Sequence, residues 1–133
     1  MIIIFCPWGN ATGGTELLHQ LGYKLNLFGF DARMYYYGDD NGLSATHPHF
    51  VSYHVPITNL VSDSDDNIFI YPEMMVYSLA DIKSQLPKSK HVLWWLSVDN
   101  AGMTPKLENS VSQDRDIFIL CSLFTRMNTL KTF

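Results

Sequence analysis

Short apolar runs alternate with stretches of helical periodicity along these 133 residues, and the spacing between runs is long enough for crossovers, a combination that predicts an α/β fold. The first run, IIIF at residues 2–5, is apolar at every position, as a strand covered on both faces must be. The sheet is therefore expected to be mainly parallel, with right-handed crossovers that put helices on both sides. The architecture expected is a Rossmann-like three-layer α/β/α sandwich with about five strands, residues 1–133 forming a single domain. A chain of this length buries roughly two thirds of its unfolded surface, enough for one core of that kind.

The elements follow in order. After the first strand the pattern turns helical from Thr15, where Leu17, Leu18, Leu21, Leu25 and Phe28 recur at three- and four-residue intervals and form one stripe. Glu16, Gln20, Lys24 and Asn26 lie mostly off that stripe. Gly29 is placed to close the helix, since a glycine just past the last turn adopts the left-handed conformation. ARMYYY (residues 32–37) reads as a second strand, and GDDNG behind it as a turn. Residues 43–66, with THPHF, YHVP and SDSDDN, read as a long loop with one short strand near 51–55. NIFIY (67–71) is a third strand ended by Pro72. Met74, Met75, Tyr77, Leu79, Ile82 and Leu86 have helical spacing across residues 73–86, and Pro87 stops that helix. HVLWWLSV (91–98) and DIFILCS (116–122) are the fourth and fifth strands, and residues 123–133 suit a short last helix.

Composition narrows the function classes. The formal net charge is −4 and the nine Lys and Arg are scattered without a basic stripe, so no nucleic-acid partner is expected. Cys6 and Cys121 each fall inside an apolar run, which predicts small hydrophobes and a reducing, cytoplasmic setting rather than a disulfide framework. The opening apolar run is too short for a signal peptide and has no basic segment before it. No run approaches the roughly 20 apolar residues of a membrane-spanning helix, which leaves only peripheral membrane contact open.

The loop between the first strand and the first helix, GNATGGTE (residues 9–16), carries the strongest chemical signal. In parallel sheets ligands bind at the carboxyl ends of the strands, and a helix N-terminus there attracts anions such as phosphate. Gly13 and Gly14 allow a ligand close to the backbone, and Thr12 or Thr15 can cap the helix or add a hydroxyl. The nucleotide-triphosphatase loop is excluded because Thr15 and Glu16 stand where its Lys and Ser or Thr belong. The dinucleotide fingerprint fails as well, since Gly9, Gly13 and Gly14 have the wrong separations. Two readings stay open for the glycines: a phosphate-approach site, or a tight strand-to-helix turn and nothing more.

The stretch PWGNATGGTELLHQLGYKLNLFGFDARMYYYG resembles the start of a GT-B glycosyltransferase of the retaining, glycogen-synthase-like group: a first strand, a GG loop, a Leu-rich helix ending in Gly and a second strand. NIFIYPE, HVLWWLSVDN and DIFILCSLFTRM resemble that family's following strands. The resemblance implies the N-terminal, acceptor-side domain of an enzyme that transfers a sugar from a nucleotide-sugar to a saccharide or lipid-linked acceptor. It implies no cofactor and no metal at the site. Carried over by position, Gly13, Gly14 and Thr15 form the donor-phosphate loop and Asp99 is the catalytic residue that orients or deprotonates an acceptor hydroxyl. Trp8, Glu73 and Asn100 are the acceptor-side residues. In that family a second Rossmann-like domain supplies the basic residues and an acidic residue that grip the nucleotide-sugar, so a second catalytic domain or subunit is an expected partner.

Other constellations carry less. His47, His49 and His54 lie close in sequence, but no Cys or carboxylate stands beside them at a zinc-ligand spacing, so exposed loop histidines are expected. His19 is expected to be packed or capping rather than a general base. Trp94 and Trp95 are adjacent in a strand and point to opposite faces, which favours core packing. SDSDDN lacks the Gly and terminal Glu of a calcium loop, and Ser97 and Ser122 lack nucleophile-elbow glycines. The rival reading is a non-catalytic α/β binding or interaction module. A phosphate-receiver domain would need an acidic pair after the first strand and an Asp after the third, where this chain has Pro7, Trp8 and Pro72, Glu73.

Overall fold

The computed structural model describes residues 1–38, 45–96 and 117–121, the last as backbone. The elements are β1 (Ile2–Pro7), α1 (Gly13–Leu27), β2 (Ala32–Tyr37), a 3-10 helix (Pro48–Tyr53), β3 (Ile68–Pro72), a second 3-10 helix (Glu73–Tyr77), α2 (Leu79–Gln85), β4 (Lys90–Trp95) and β5 (Ile117–Cys121). All strand pairs are parallel and the order is β2-β1-β3-β4-β5, with β5 joining the sheet through its backbone pairing to β4. The fold is thus α/β with an all-parallel sheet and helices.

Pleat alternation divides β1 between two cores. Ile3 and Phe5 join Phe69, Tyr71, Leu93 and Trp95 on one face, closed by Val76 and Leu79 of the connection from β3 to β4. Ile4 and Cys6 join Met34, Tyr36 and Ile70 on the other, closed by Leu18 of α1 and by Val55. Trp94 packs with this second cluster and Trp95 with the first, as adjacent strand residues must. Because both faces are covered, the strand has no polar alternation, which is why its run is continuous in sequence.

The cap of α1 follows from Thr12 at an extended backbone position. Its Oγ1 accepts from the Thr15 amide at 3.3 Å, and Thr15 Oγ1 in return accepts from the Thr12 amide at 2.9 Å. At the other end Gly29, with φ of 89°, completes a Schellman closure in which the Phe30 amide donates to Leu25 and the Gly29 amide to Asn26. Gly22 has a different purpose: a Cβ there would stand 2.9 Å from Val55 Cγ1, so the glycine lets α1 press against that side chain. Two members of the expected stripe are not in the core. Leu17 is 38% and Phe28 75% exposed, because the side of α1 that faces the sheet is the one carrying Leu18, Leu21 and Leu25.

The segment before β3 departs from expectation. In place of a strand near 51–55 the chain forms the 3-10 helix Pro48–Tyr53, which Pro48 starts and which buries Phe50. The pairing near there lies slightly later, where Met34 bridges Ile57 in parallel: the Met34 amide donates to Pro56 and the Thr58 amide to Met34. This contact covers the outer edge of β2. The single helix expected over 73–86 is also corrected. Pro72 opens a 3-10 helix, and Ser78, whose side chain makes no capping bond, separates it from the short α2. Residues 97–98 of the expected fourth strand and 123–133 of the expected last helix lie outside the described residues.

Candidate functional site

The carboxyl ends of the strands enclose a cavity of about 380 Å³. Pro7 closes β1, Tyr37 closes β2, Pro72 closes β3, and Leu96 follows β4; each contributes to its wall, together with Gly13 and Gly14 of α1, Glu73 and Met74. β1 lies between β2 and β3, so the chain leaves β1 toward one side of the sheet and returns on the other. Ligands of doubly wound sheets bind at such a reversal point.

Gly13 and Gly14 are the first two residues of α1, and neither has a positive φ. A Cβ at Gly13 would meet nothing within 4 Å, and one at Gly14 only Leu96 Cδ1 and Thr12 Oγ1 at 3.9 Å. The sharp turn is made earlier, at Gly9, with φ of 75°. The turn-only reading of the GG pair therefore loses its support: neither backbone angle nor packing requires glycine, although a glycine in a helix costs about 0.5–1 kcal/mol against alanine. What the two glycines provide is open space over first-turn amides that have no partner within the helix. Thr15 is 3% exposed, and its hydroxyl turns back into the loop, 2.9 Å from the Thr12 carbonyl to which it donates.

Opposite in charge is Glu73, the first residue after β3, 3% exposed and part of the cavity wall. Its Oε2 accepts from the Leu96 amide at 3.2 Å, which ties the end of β4 to the end of β3. Burial foremost, then Cys6 and Glu73, push the Tyr37 phenol up to about 12, so it is a neutral hydroxyl at physiological pH. Among the described residues lining the cavity there is no Lys, Arg or His.

The structure thus brings Gly13, Gly14, Thr15 and Glu73 to one cavity. Trp8 sits in the turn after β1, 42% exposed and outside the lining, with its amide donating to the Tyr37 carbonyl at 2.9 Å. Asp99 and Asn100 lie outside the described residues. Tyr37 and Leu96 were not singled out from sequence; the one signal for them was position, each standing at the carboxyl end of a strand.

His19 and His47 hold structural positions. His19 is buried, with Nδ1 2.7 Å from the Thr15 carbonyl and Nε2 2.7 Å from the Tyr36 hydroxyl, so Nδ1 carries the proton and Nε2 accepts. Burial holds its pKa below the ordinary value, with the Thr15 bond opposing and His47 adding to the effect. His47 caps the 3-10 helix, its Nδ1 accepting from the His49 amide at 3.1 Å. Among the described residues no group of three His, Cys, Asp or Glu side chains is arranged to hold a metal ion, and no helix is long and apolar enough to cross a membrane. Searches of protein-family models, curated proteins and solved structures found no match to this chain.

Proposed function

We propose that this chain is the acceptor-side domain of a GT-B-type glycosyltransferase, and that its cavity receives the phosphate-bearing part of a nucleotide-sugar for transfer to a saccharide or lipid-linked acceptor. The observation that carries this reading is the GG pair, two glycines that the fold does not need, placed where they uncover helix amides to a cavity at the sheet's reversal point. Preorganised amides of this kind stabilise charge on a departing diphosphate without reorganising. The sheet supports the reading too. If the Ile57 bridge is counted as a rudimentary third strand at the β2 edge, the strands run 3-2-1-4-5-6, the order of Rossmann sheets. A cavity wall without basic side chains among the described residues matches a donor pocket completed by a second domain. Asp99 keeps the role the resemblance implies, that of orienting or deprotonating the acceptor hydroxyl.

Titration calorimetry with UDP- and GDP-sugars on the chain and on a Gly13→Val, Gly14→Val double variant tests the phosphate site. Binding that the double variant abolishes while remaining folded supports it; equal binding by both removes it. The second reading is a non-catalytic binding module, favoured by the order 2-1-3-4-5 of the named strands taken alone, which flavodoxin-like sheets share. Sugar transfer to any acceptor on addition of a cognate second domain would decide against it.

A further inference from the structure

We infer that the turn joining α1 to β2 is a membrane-docking tip, whose Leu27, Phe28 and Phe30 side chains insert into the interface of a lipid bilayer. The inference does not depend on the cavity reading. Leu27 is 62%, Phe28 75% and Phe30 57% exposed, and none of them joins either core cluster. The backbone that presents them is fixed. The Phe28, Gly29 and Phe30 amides close the end of α1, and the Asn26 side chain clasps the start of β2, its Nδ2 donating to the Ala32 carbonyl at 2.9 Å and its Oδ1 accepting from the Ala32 amide at 2.8 Å. Tyr23, also exposed, stands one helical turn before Leu27 and extends the apolar surface along α1.

Area and charge select a bilayer as the occupant. Three side chains of this size, each a little over half exposed, offer on the order of a few hundred Å², well below the roughly 800 Å² per partner of a stable protein interface. A bilayer needs no such area. It takes up apolar side chains from a single exposed turn, and its interface favours aromatic rings beside a cation. Lys24 is that cation, its Nζ 5.6 Å from the centre of the Tyr23 ring. From Tyr23 to Arg33 the other charged residues are Asp31 and Arg33, which pair with each other at 2.9 Å, so the tip carries little net charge and its attraction is apolar rather than selective for anionic lipid. The tip lies at the amino edge of the sheet, and the six residues of β1 and of β2 separate it from the cavity by about 20 Å. Docking there turns the cavity toward water and favours a saccharide arriving from solution over a lipid-linked acceptor.

The experiment is co-sedimentation of the full chain with vesicles of phosphatidylcholine alone and of phosphatidylcholine with phosphatidylserine, at low and at high salt. The result expected is similar partitioning to both, little changed by salt. Phe28→Ser and Phe30→Ser each weaken it by at least about tenfold, because each removes a ring that the bilayer would bury. Both positions are exposed, so the variants are expected to keep the native thermal midpoint. Spin-labelled lipid should broaden the amide signals of residues 27–30 and leave those of Gly13 and Gly14 sharp. No sedimentation with either vesicle overturns the inference. So does binding that needs phosphatidylserine and is lost at high salt, or binding that survives both substitutions. A concentration-dependent dimer that the substitutions abolish, without vesicle binding, assigns the tip to a second copy of the chain and overturns the bilayer as its occupant.

Discussion

The α1 and α2 crossovers of the sheet solve the same problem differently. The first leaves β1 through a glycine turn and starts α1 with a reciprocal threonine cap. The second leaves β3 through Pro72 directly into a 3-10 helix, and α2 begins at Ser78 without a side-chain cap. Each also buries a histidine against a tyrosine on its own face of the sheet. His19 pairs with Tyr36 on the α1 face. His91 pairs with Tyr71 on the other, its Nδ1 3.0 Å from the hydroxyl and its Nε2 2.9 Å from the Leu86 carbonyl. The cores are built alike, and the difference is confined to the carboxyl edge. At that edge the α1 crossover brings Gly13 and Gly14 and the α2 crossover brings the buried Glu73, and all three line the same cavity.

Breaking the shared part should have the largest effect. Tyr71→Phe leaves a buried histidine nitrogen without its donor and is expected to cost about 1–3 kcal/mol in urea unfolding. Tyr36→Phe should cost a similar amount, and a value near zero for one alone would end the equivalence of the two faces. Next come the helix starts. Thr12→Ala is expected to lose about 1 kcal/mol, whereas Ser78→Ala stays within about 0.5 kcal/mol because its side chain caps nothing.

Smaller still is Gly13→Ala, expected to stabilise the fold by up to about 1 kcal/mol in the same assay while weakening pyrophosphate binding. Destabilisation would restore the turn as the reason for the glycine. The last effect is confined to acid solution. His19 binds its proton less readily folded than unfolded, so stability is unaffected well above its ordinary pKa and declines as pH falls through about 6.5. The thermal midpoint of a His19→Gln variant followed against pH should lack part of that decline.

Local signals account for what was readable beforehand. The residues 2–5 run, the ARMYYY and NIFIY segments, the Gly29 stop and the opposed Trp94 and Trp95 are each written within a few neighbouring residues, and each was found there. Residues 48–53 were misread because a 3-10 helix of six residues is too short to print a periodicity. Leu17 and Phe28 were misread because an apolar side chain does not say whether the neighbouring layer reaches it.

Composition and spacing by themselves determined the α/β class, the parallel sheet and the glycine loop as the place to look, because burial on two faces and helix termination act through adjacent residues. Only the tertiary structure decided that Gly13 and Gly14 are unneeded by the turn, that Thr15 is consumed by its own cap, and that Glu73 is buried beside Tyr37 and Leu96. Those facts depend on four strand ends meeting across some ninety residues of chain, from Pro7 to Leu96, and no local pattern encodes that meeting.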